Sequence, residues 1–379
     1  MRILINTIST KKHSGGAFQV AQNFLKKTLE HKDIEWIYVV SMDLHNVLPE
    51  DIKKSPFYFV FPTQPDYFHS YLRVKKELRA LENKYNPDVV YSITAPSYFS
   101  FKSPEVMRFT NPWVTHPNKY AWSVLSMKEK IVYCLYGLNQ KRMMKYAHYF
   151  ITQTETCAEG IKKVTGESSS HVKVVPNVLP AVFKTFDNTH ISEDKHIHIA
   201  CVGAATTHKN FDIIPDVLNE LRAHGMGNVR IHVTLPSDEP TLGIVMKKIL
   251  QYNLDDMFVN HGRLSQKELG EMYRRCQFSF LPTLLEVFSA STIESMYFNL
   301  PIVATDFPFN KEVLADSCLY YKPKNATEAA GRLMELITNT NLQEELKSKM
   351  QARLALYGDY DAHFDAIKDF LMKVGNNKL

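Results

Sequence analysis

Two carboxylates, Glu286 and Glu294, punctuate the stretch LPTLLEVFSASTIESM, residues 281 to 296. It begins as a buried strand ends and finishes with helical composition, a place where acids have little structural use. The amides of Phe288, Ser289 and Ala290 lie between the two acids, at or near the start of a helix, where an anion such as phosphate is favoured. Acids on either side of an anion site repel the anion, so they need other partners. Sugar hydroxyls suit them, because hydroxyls donate hydrogen bonds to carboxylates. A ligand with sugar, phosphate and sugar in series satisfies the arrangement, and a nucleotide sugar has that order. The spacing alone is equally compatible with a loop acid and a solvated helix residue.

Such a site needs elements to hold it. RILINTI (2–8), WIYVVS (36–41), DVVYSI (88–93) and YFITQT (149–154) read as buried strands bounded by polar or turn residues. A second series runs through HIHIACVG (196–203), NVRIHVTLP, MFVNHG, FSFLPT and PIVATD, with helical patterns between. Strands alternating with helices predict parallel sheets covered on both faces. The polar, aperiodic PAVFKTFDNTHISEDK breaks the two series near 180–195, and no internal repeat relates them. The expected fold class is α/β, with two doubly wound domains facing across a cleft. Ligands of such sheets bind at the carboxyl ends of the strands. That puts STKKHSGG, GAATTHKN and TLLEVFSAS at the expected site.

Composition narrows the class. At 379 residues, 45% hydrophobic and 22% charged, the chain can bury two cores and shows no mark of disorder. Its five scattered cysteines form no CxxC pair, which argues against a disulfide framework or zinc site and fits a reducing compartment. No run of about 18 apolar residues is present, and the N-terminus is too short and polar for a signal peptide, so the expected location is cytoplasmic. His196 and His198 share a strand face, yet no third ligand stands nearby in sequence, and a metal site is not expected.

Residues 261–306 resemble the nucleotide-sugar-binding core of retaining GT-B glycosyltransferases of glycosyltransferase family 4 (GT4). The matching features are the Gly262–Arg263 turn, the helix ending at Tyr273, the Pro282–Thr283 pair, the E-x7-E of Glu286 and Glu294, Met296 and the strand after Pro301. VGAATTHKNFD adds a glycine followed six residues later by lysine, Gly203 and Lys209. VVPNVLP is similar to that family's interdomain segment and SGGAFQVAQNF to its N-terminal glycine loop. The resemblance is strong over about 175–315 and weak in the N-terminal half.

The resemblance implies an acceptor-side domain over 1–180, a nucleotide-sugar-binding domain over 181–360, and a helix over 361–379 that packs back on the first. It implies that Glu294 binds ribose hydroxyls, that Glu286 holds the transferred sugar at the reacting centre, and that Lys209 neutralises the diphosphate. The amides of Phe288, Ser289 and Ala290 would assist Lys209, with Arg263 in the same donor site. Gly15 and Gly16 would allow close approach of the backbone to the donor phosphates, and His116 would face the transferred sugar. The bland readings are a solvated helix-start lysine for Lys209, an ordinary turn for Gly15–Gly16 and a loop histidine beside Pro117 for His116. Three family positions depart from the pattern, carrying Ala204 for arginine, Ser289 for glycine and Val178 for glycine. The loss at Ala204 removes one diphosphate contact unless His208 or another basic group replaces it.

The implied reaction moves a hexose-type sugar with retention from a nucleotide-diphosphate sugar to a glycan or lipid-linked acceptor, in cell-surface polysaccharide synthesis, with no cofactor and no metal. Two rival readings are a catalytically silent nucleotide-sugar-binding module and a sugar-nucleotide epimerase on a similar fold. Residues 1–180 carry 24 Lys and Arg against 15 Asp and Glu, whereas the remainder carries 21 against 25. Within the basic half, 119–148 holds six cations and one acid among Tyr, Trp, Leu and Met. Such a segment suits peripheral contact with an anionic membrane. For its aromatic residues the favoured alternative is a helix pair with its apolar side in the core. Nucleic acid is not expected, since no reader motif accompanies the charge.

Overall fold

A computed structural model describes residues 1–12, 16–62, 68–187, 190–191 and 194–378. The chain forms two compact units. One comprises 1–116, 131–175 and 361–379, and the other 117–130 and 176–360. Residues 117–130, which the sequence reading kept with the N-terminal domain, therefore group with the second unit.

The first unit is built on seven strands: β1 (Arg2–Thr7), β2 (Glu35–Ser41), β3 (Tyr58–Phe61), β4 (Val89–Ser92), β5 (Glu105–Arg108), β6 (Tyr149–Thr152) and β7 (Val172–Val174). They pair in parallel in the order β3-β2-β1-β4-β5-β6-β7. Ile3, Leu4 and Ile5 on β1 are wholly inaccessible, as expected of a strand covered on both faces. The helix Tyr360–Gly375 buries Phe364, Ile367, Phe370, Leu371 and Val374 in this unit's core. The Phe364 ring lies 4.8 Å from Phe24.

The second unit holds β8 (Ile197–Cys201), β9 (Val229–Val233), β10 (Phe258–Asn260), β11 (Phe278–Leu281), β12 (Ile302–Thr305) and β13 (Cys318–Tyr321). All pair in parallel, in the order β10-β9-β8-β11-β12-β13. Strand order reverses between β8 and β11, which makes the loops after those two strands the switch point where ligands of such sheets bind. Lys209 follows β8, and both glutamates follow β11.

The pattern reading located nine strands and missed β3, β5, β7 and β13. β5 reads EVMR, with a charged residue at each end, yet all four residues are buried. β7 has only three residues, VKV, and none is fully buried. Neither offers the apolar run on which periodicity depends.

Candidate functional site

Lys209 ends a short 3-10 turn, Thr207–Lys209. Its ammonium forms an ion pair with the Glu286 carboxylate and lies 3.5 Å from Ser289 Oγ. Cation, acid and helix start thus meet at one point, brought there from positions 77 and 80 residues apart in the chain. Burial pushes the Glu286 carboxyl up, but the Lys209 ammonium outweighs this and, with His208 and the Val287 amide, holds it below its usual value. Glu286 is therefore an anion at neutral pH.

Glu294 sits differently. It lies on the helix Ala290–Tyr297, is 6% exposed, and accepts a 2.8 Å hydrogen bond from the fully buried Tyr273 hydroxyl. Burial pushes its carboxyl up to about 7, against the Tyr273 hydrogen bond and the more distant Lys209 charge. The two acids of the E-x7-E pattern therefore differ in charge state, one fixed as an anion and one poised between forms.

Asn210 holds the β8 loop to the β11 loop, a role that sequence reading did not assign. It has left-handed backbone (φ 60°), is 1% exposed, and donates Nδ2 to the Pro282 carbonyl at 3.1 Å. Asparagine tolerates that conformation better than most residues. The Leu284 amide donates to the His208 carbonyl at 2.8 Å, a second tie between the same loops. Burial lowers the His208 imidazole to about 4, with Glu286 opposing and Lys209 adding, so at neutral pH it carries no charge to replace the missing arginine. Two further asparagines reach the β11 loop: Asn118 Nδ2 donates to the Leu284 carbonyl at 2.7 Å, and Asn177 Nδ2 to the Phe288 carbonyl at 3.4 Å. Lys209, Thr283, Ser289, Ser291, Thr292 and Asn310 help line a small pocket beside the ion pair.

The other expected site residues are placed as follows. Phe288 is buried, with its ring edge-on to Tyr357 at 5.4 Å, and Ala290 is exposed at the first helical position. Arg263 is exposed and pairs with Asp238 at 3.2 Å. Gly262 before it has φ +68°, which accounts for the glycine through the turn. His116 belongs to the first unit and shares a 2.8 Å hydrogen bond with Thr115 Oγ1. Gly16 opens the helix Gly16–Lys27, and a Cβ there would meet nothing within 4 Å. Gly15 lies outside the described residues.

The histidines hold a surprise that sequence spacing could not show. His198 Nδ1 lies 2.7 Å from His232 Nε2, and His232 Nδ1 lies 2.8 Å from His261 Nε2. Asp194 ends the chain of contacts at 3.0 Å from His198 Nε2. Five of their six ring nitrogens take part in this chain of contacts, and among the described residues no group of three or more His, Cys, Asp or Glu could hold a metal ion.

Residues 182–353 match the family model described as glycosyl transferases group 1. No curated protein matches the chain. Among solved structures, a glycosyltransferase from Rickettsia africae has 13% identity and a TM-score of 0.74, covering 99% of this chain and 98% of its own. Sucrose-phosphate synthase from Thermosynechococcus elongatus has 12% identity and a TM-score of 0.73, covering 99% of each chain. Anabaena HepE, solved with UDP-glucose, has 13% identity and a TM-score of 0.72, covering 98% of this chain and 99% of its own. These likenesses establish the two-domain α/β GT-B fold. The matched segment makes residues 182–353 similar to glycosyltransferases in sequence as well. The second unit is similar to the group 1 glycosyltransferases in particular.

Proposed function

We propose that this enzyme moves a hexose-type sugar from a nucleoside-diphosphate sugar to a glycan or lipid-linked acceptor with retention of anomeric configuration. The observation that carries the reading is the Lys209 ammonium, held between the Glu286 carboxylate and Ser289 Oγ at a helix start. Departure of the diphosphate builds negative charge on its oxygens, and a fixed cation beside helix amides lowers the barrier by stabilising that charge. In the proposed step, the bond from the anomeric carbon to the phosphate oxygen breaks. The acceptor oxygen bonds to that carbon on the same face, and its proton passes to the departing phosphate oxygen. Lys209 exchanges its contact with Glu286 for the phosphate. Glu286 then turns to the sugar hydroxyls, and Glu294 takes the ribose diol. The HepE structure with UDP-glucose supports a nucleotide-sugar donor as the first class to test.

The test is a melting-temperature screen against UDP-, GDP-, ADP- and dTDP-sugars, since a ligand that binds only the folded state raises the melting point. One base should stabilise the wild type and fail to stabilise Glu294→Ala. Slow release of free sugar from that donor without acceptor is expected of a transferase, whereas an isomeric nucleotide sugar would indicate an epimerase. If no nucleotide sugar shifts the melting point, the donor assignment is lost.

A further inference from the structure

Seven of the chain's exposed large apolar residues fall between positions 127 and 146: Met127, Ile131, Val132, Leu135, Tyr136, Leu138 and Tyr146. Six of them lie on one helix, Met127–Met144. Met127 is 71% exposed, Leu135 63% and Leu138 60%. The sequence-based alternative placed the aromatic residues of this segment in the core; Tyr136 and Tyr146 are instead exposed, whereas Tyr133 packs inward. The helix already has its inward stripe, Tyr133, Gly137, Gln140 and Met144, at the spacing of one face. Tyr133 packs on Trp113 with ring centroids 4.6 Å apart, and Gln140 accepts a 2.7 Å hydrogen bond from Asn111. Met127, Ile131, Leu135 and Leu138 repeat with helical spacing on the opposite side. Exposed apolar side chains grouped in this way, with Lys128 and Arg142 at the two ends of the same face, mark an interaction surface.

The charges around that face identify its partner. Lys128, Lys130, Lys141, Arg142 and Lys145 flank it, and among the described residues none of the five is ion-paired. The single acid, Glu129, is engaged by the amide and hydroxyl of Ser126. A second copy of the chain would bring the same five cations against themselves across a twofold axis, which disfavours a symmetric dimer. A bilayer surface with anionic headgroups accepts both features. Its acyl boundary takes the apolar face, and its phosphates take the cations, whose aliphatic stems lie along the interface. We infer that the helix Met127–Met144 is an interfacial helix that docks this enzyme on an anionic lipid surface. The inference stands on the helix surface and is independent of the donor site.

Flotation of the full chain with two vesicle types tests it, one of phosphatidylcholine alone and one of equal parts phosphatidylcholine and phosphatidylglycerol. The wild type should float with the anionic vesicles, fail to float with the neutral ones, and come off as salt rises. Lys141→Gln, Arg142→Gln and Lys145→Gln together should weaken binding on the order of tenfold to 100-fold at low salt. Leu135→Asn with Leu138→Asn should abolish it at every salt concentration, with the melting temperature and donor-induced stabilisation retained because both residues face solvent. Failure of the wild type to float, equal flotation with both vesicles, or wild-type binding by both variants overturns the inference. So does a dimer by light scattering that dissociates in the double asparagine variant, which assigns the face to a second copy.

Discussion

The Tyr273 hydroxyl donates to Glu294 Oε2 at 2.8 Å in a setting where both side chains are buried. The contact joins the helix Gln266–Arg275 to the helix Ala290–Tyr297, the element that starts at the candidate anion site. It fixes one carboxylate oxygen and leaves the other to meet a ligand. Under the proposed function Tyr273 would act on a donor only through Glu294, as a positioning residue. Tyr273→Phe removes the hydrogen bond while keeping the ring that stacks on Phe298 at 5.3 Å. Donor affinity should fall on the order of tenfold, the scale of one buried hydrogen bond to an ionisable group, with turnover at saturating donor nearly unchanged. A fall in turnover with unaltered affinity would place Tyr273 outside the ribose site.

If Glu294 binds the donor as proposed, it gives the site a pH dependence with a definite sign. Its carboxyl is pushed up to about 7 by burial, and the ionised form is the better acceptor for two hydroxyls. Affinity for a nucleotide sugar, whose phosphates do not titrate in this range, should therefore rise with pH up to about 7 and level off above it. Folding stability moves the other way. Glu294 and the equally raised Glu105 both retain protons in the fold that the unfolded chain has lost. Each contributes stability that is fully present below the ordinary carboxylate value and is lost as pH rises toward about 7. Titration calorimetry at several pH values, compared with Glu294→Gln, isolates the site; a pH-independent affinity in the wild type would refute the assignment.

Lys209→Ala should reduce turnover by about 2–4 kcal/mol of transition-state stabilisation, the scale for loss of one charge-stabilising group. It also leaves Glu286 half-buried without its cation, so the carboxyl should titrate higher than in the wild type. Lys209→Arg restores charge with a different fork and should recover only part of the rate. Wild-type turnover in Lys209→Ala would mean that another cation meets the leaving phosphate.

Much of this site was legible because its residues lie in two short motifs, each placed by a single strand-to-loop transition. β8 and β11 are buried runs, so periodicity located them and the loops that follow. Sequence could not reveal which residues close those loops on each other. Asn118, Asn177 and Asn210 make their contacts with residues 166, 111 and 72 positions away, and a lone asparagine carries no periodic signal. The grouping of 117–130 with the second unit was hidden for the same reason. The histidine chain through His198, His232 and His261 depends on strand order, which pattern reading leaves open. The basic and apolar composition of 119–148 was legible, but which of its aromatic side chains are exposed, such as Tyr136 and Tyr146, was not.

Asn210 separates backbone from side chain in a way that two substitutions can test. Asn210→Gly keeps the left-handed backbone at no steric cost but loses the hydrogen bond to Pro282. Asn210→Ala loses both. Chemical denaturation should show a loss of about 1–2 kcal/mol for the glycine variant and roughly 1 kcal/mol more for alanine. Lys209 is the next residue, so both should also lower turnover. Equal stability of the two variants would show that the backbone conformation carries no cost.

Gly160 lies in the helix Glu155–Thr165, and a Cβ built there would collide with the Thr115 carbonyl and side chain. The helix Pro112–Thr115, which ends at His116, rests on that glycine. Backbone cannot move aside as a flexible side chain does, so Gly160→Ala forces the two helices apart. The expected cost is about 1–3 kcal/mol of folding stability, the range for overpacking a close contact. His116 moves with Thr115, to which it is hydrogen-bonded at 2.8 Å. If His116 serves the reaction, Gly160→Ala should lower turnover at temperatures where the protein remains folded, and His116→Ala should lower it without the stability loss. Unchanged turnover in both variants would assign His116 to an ordinary loop. Loss in Gly160→Ala alone would make the helix contact, and not the imidazole, the feature that matters.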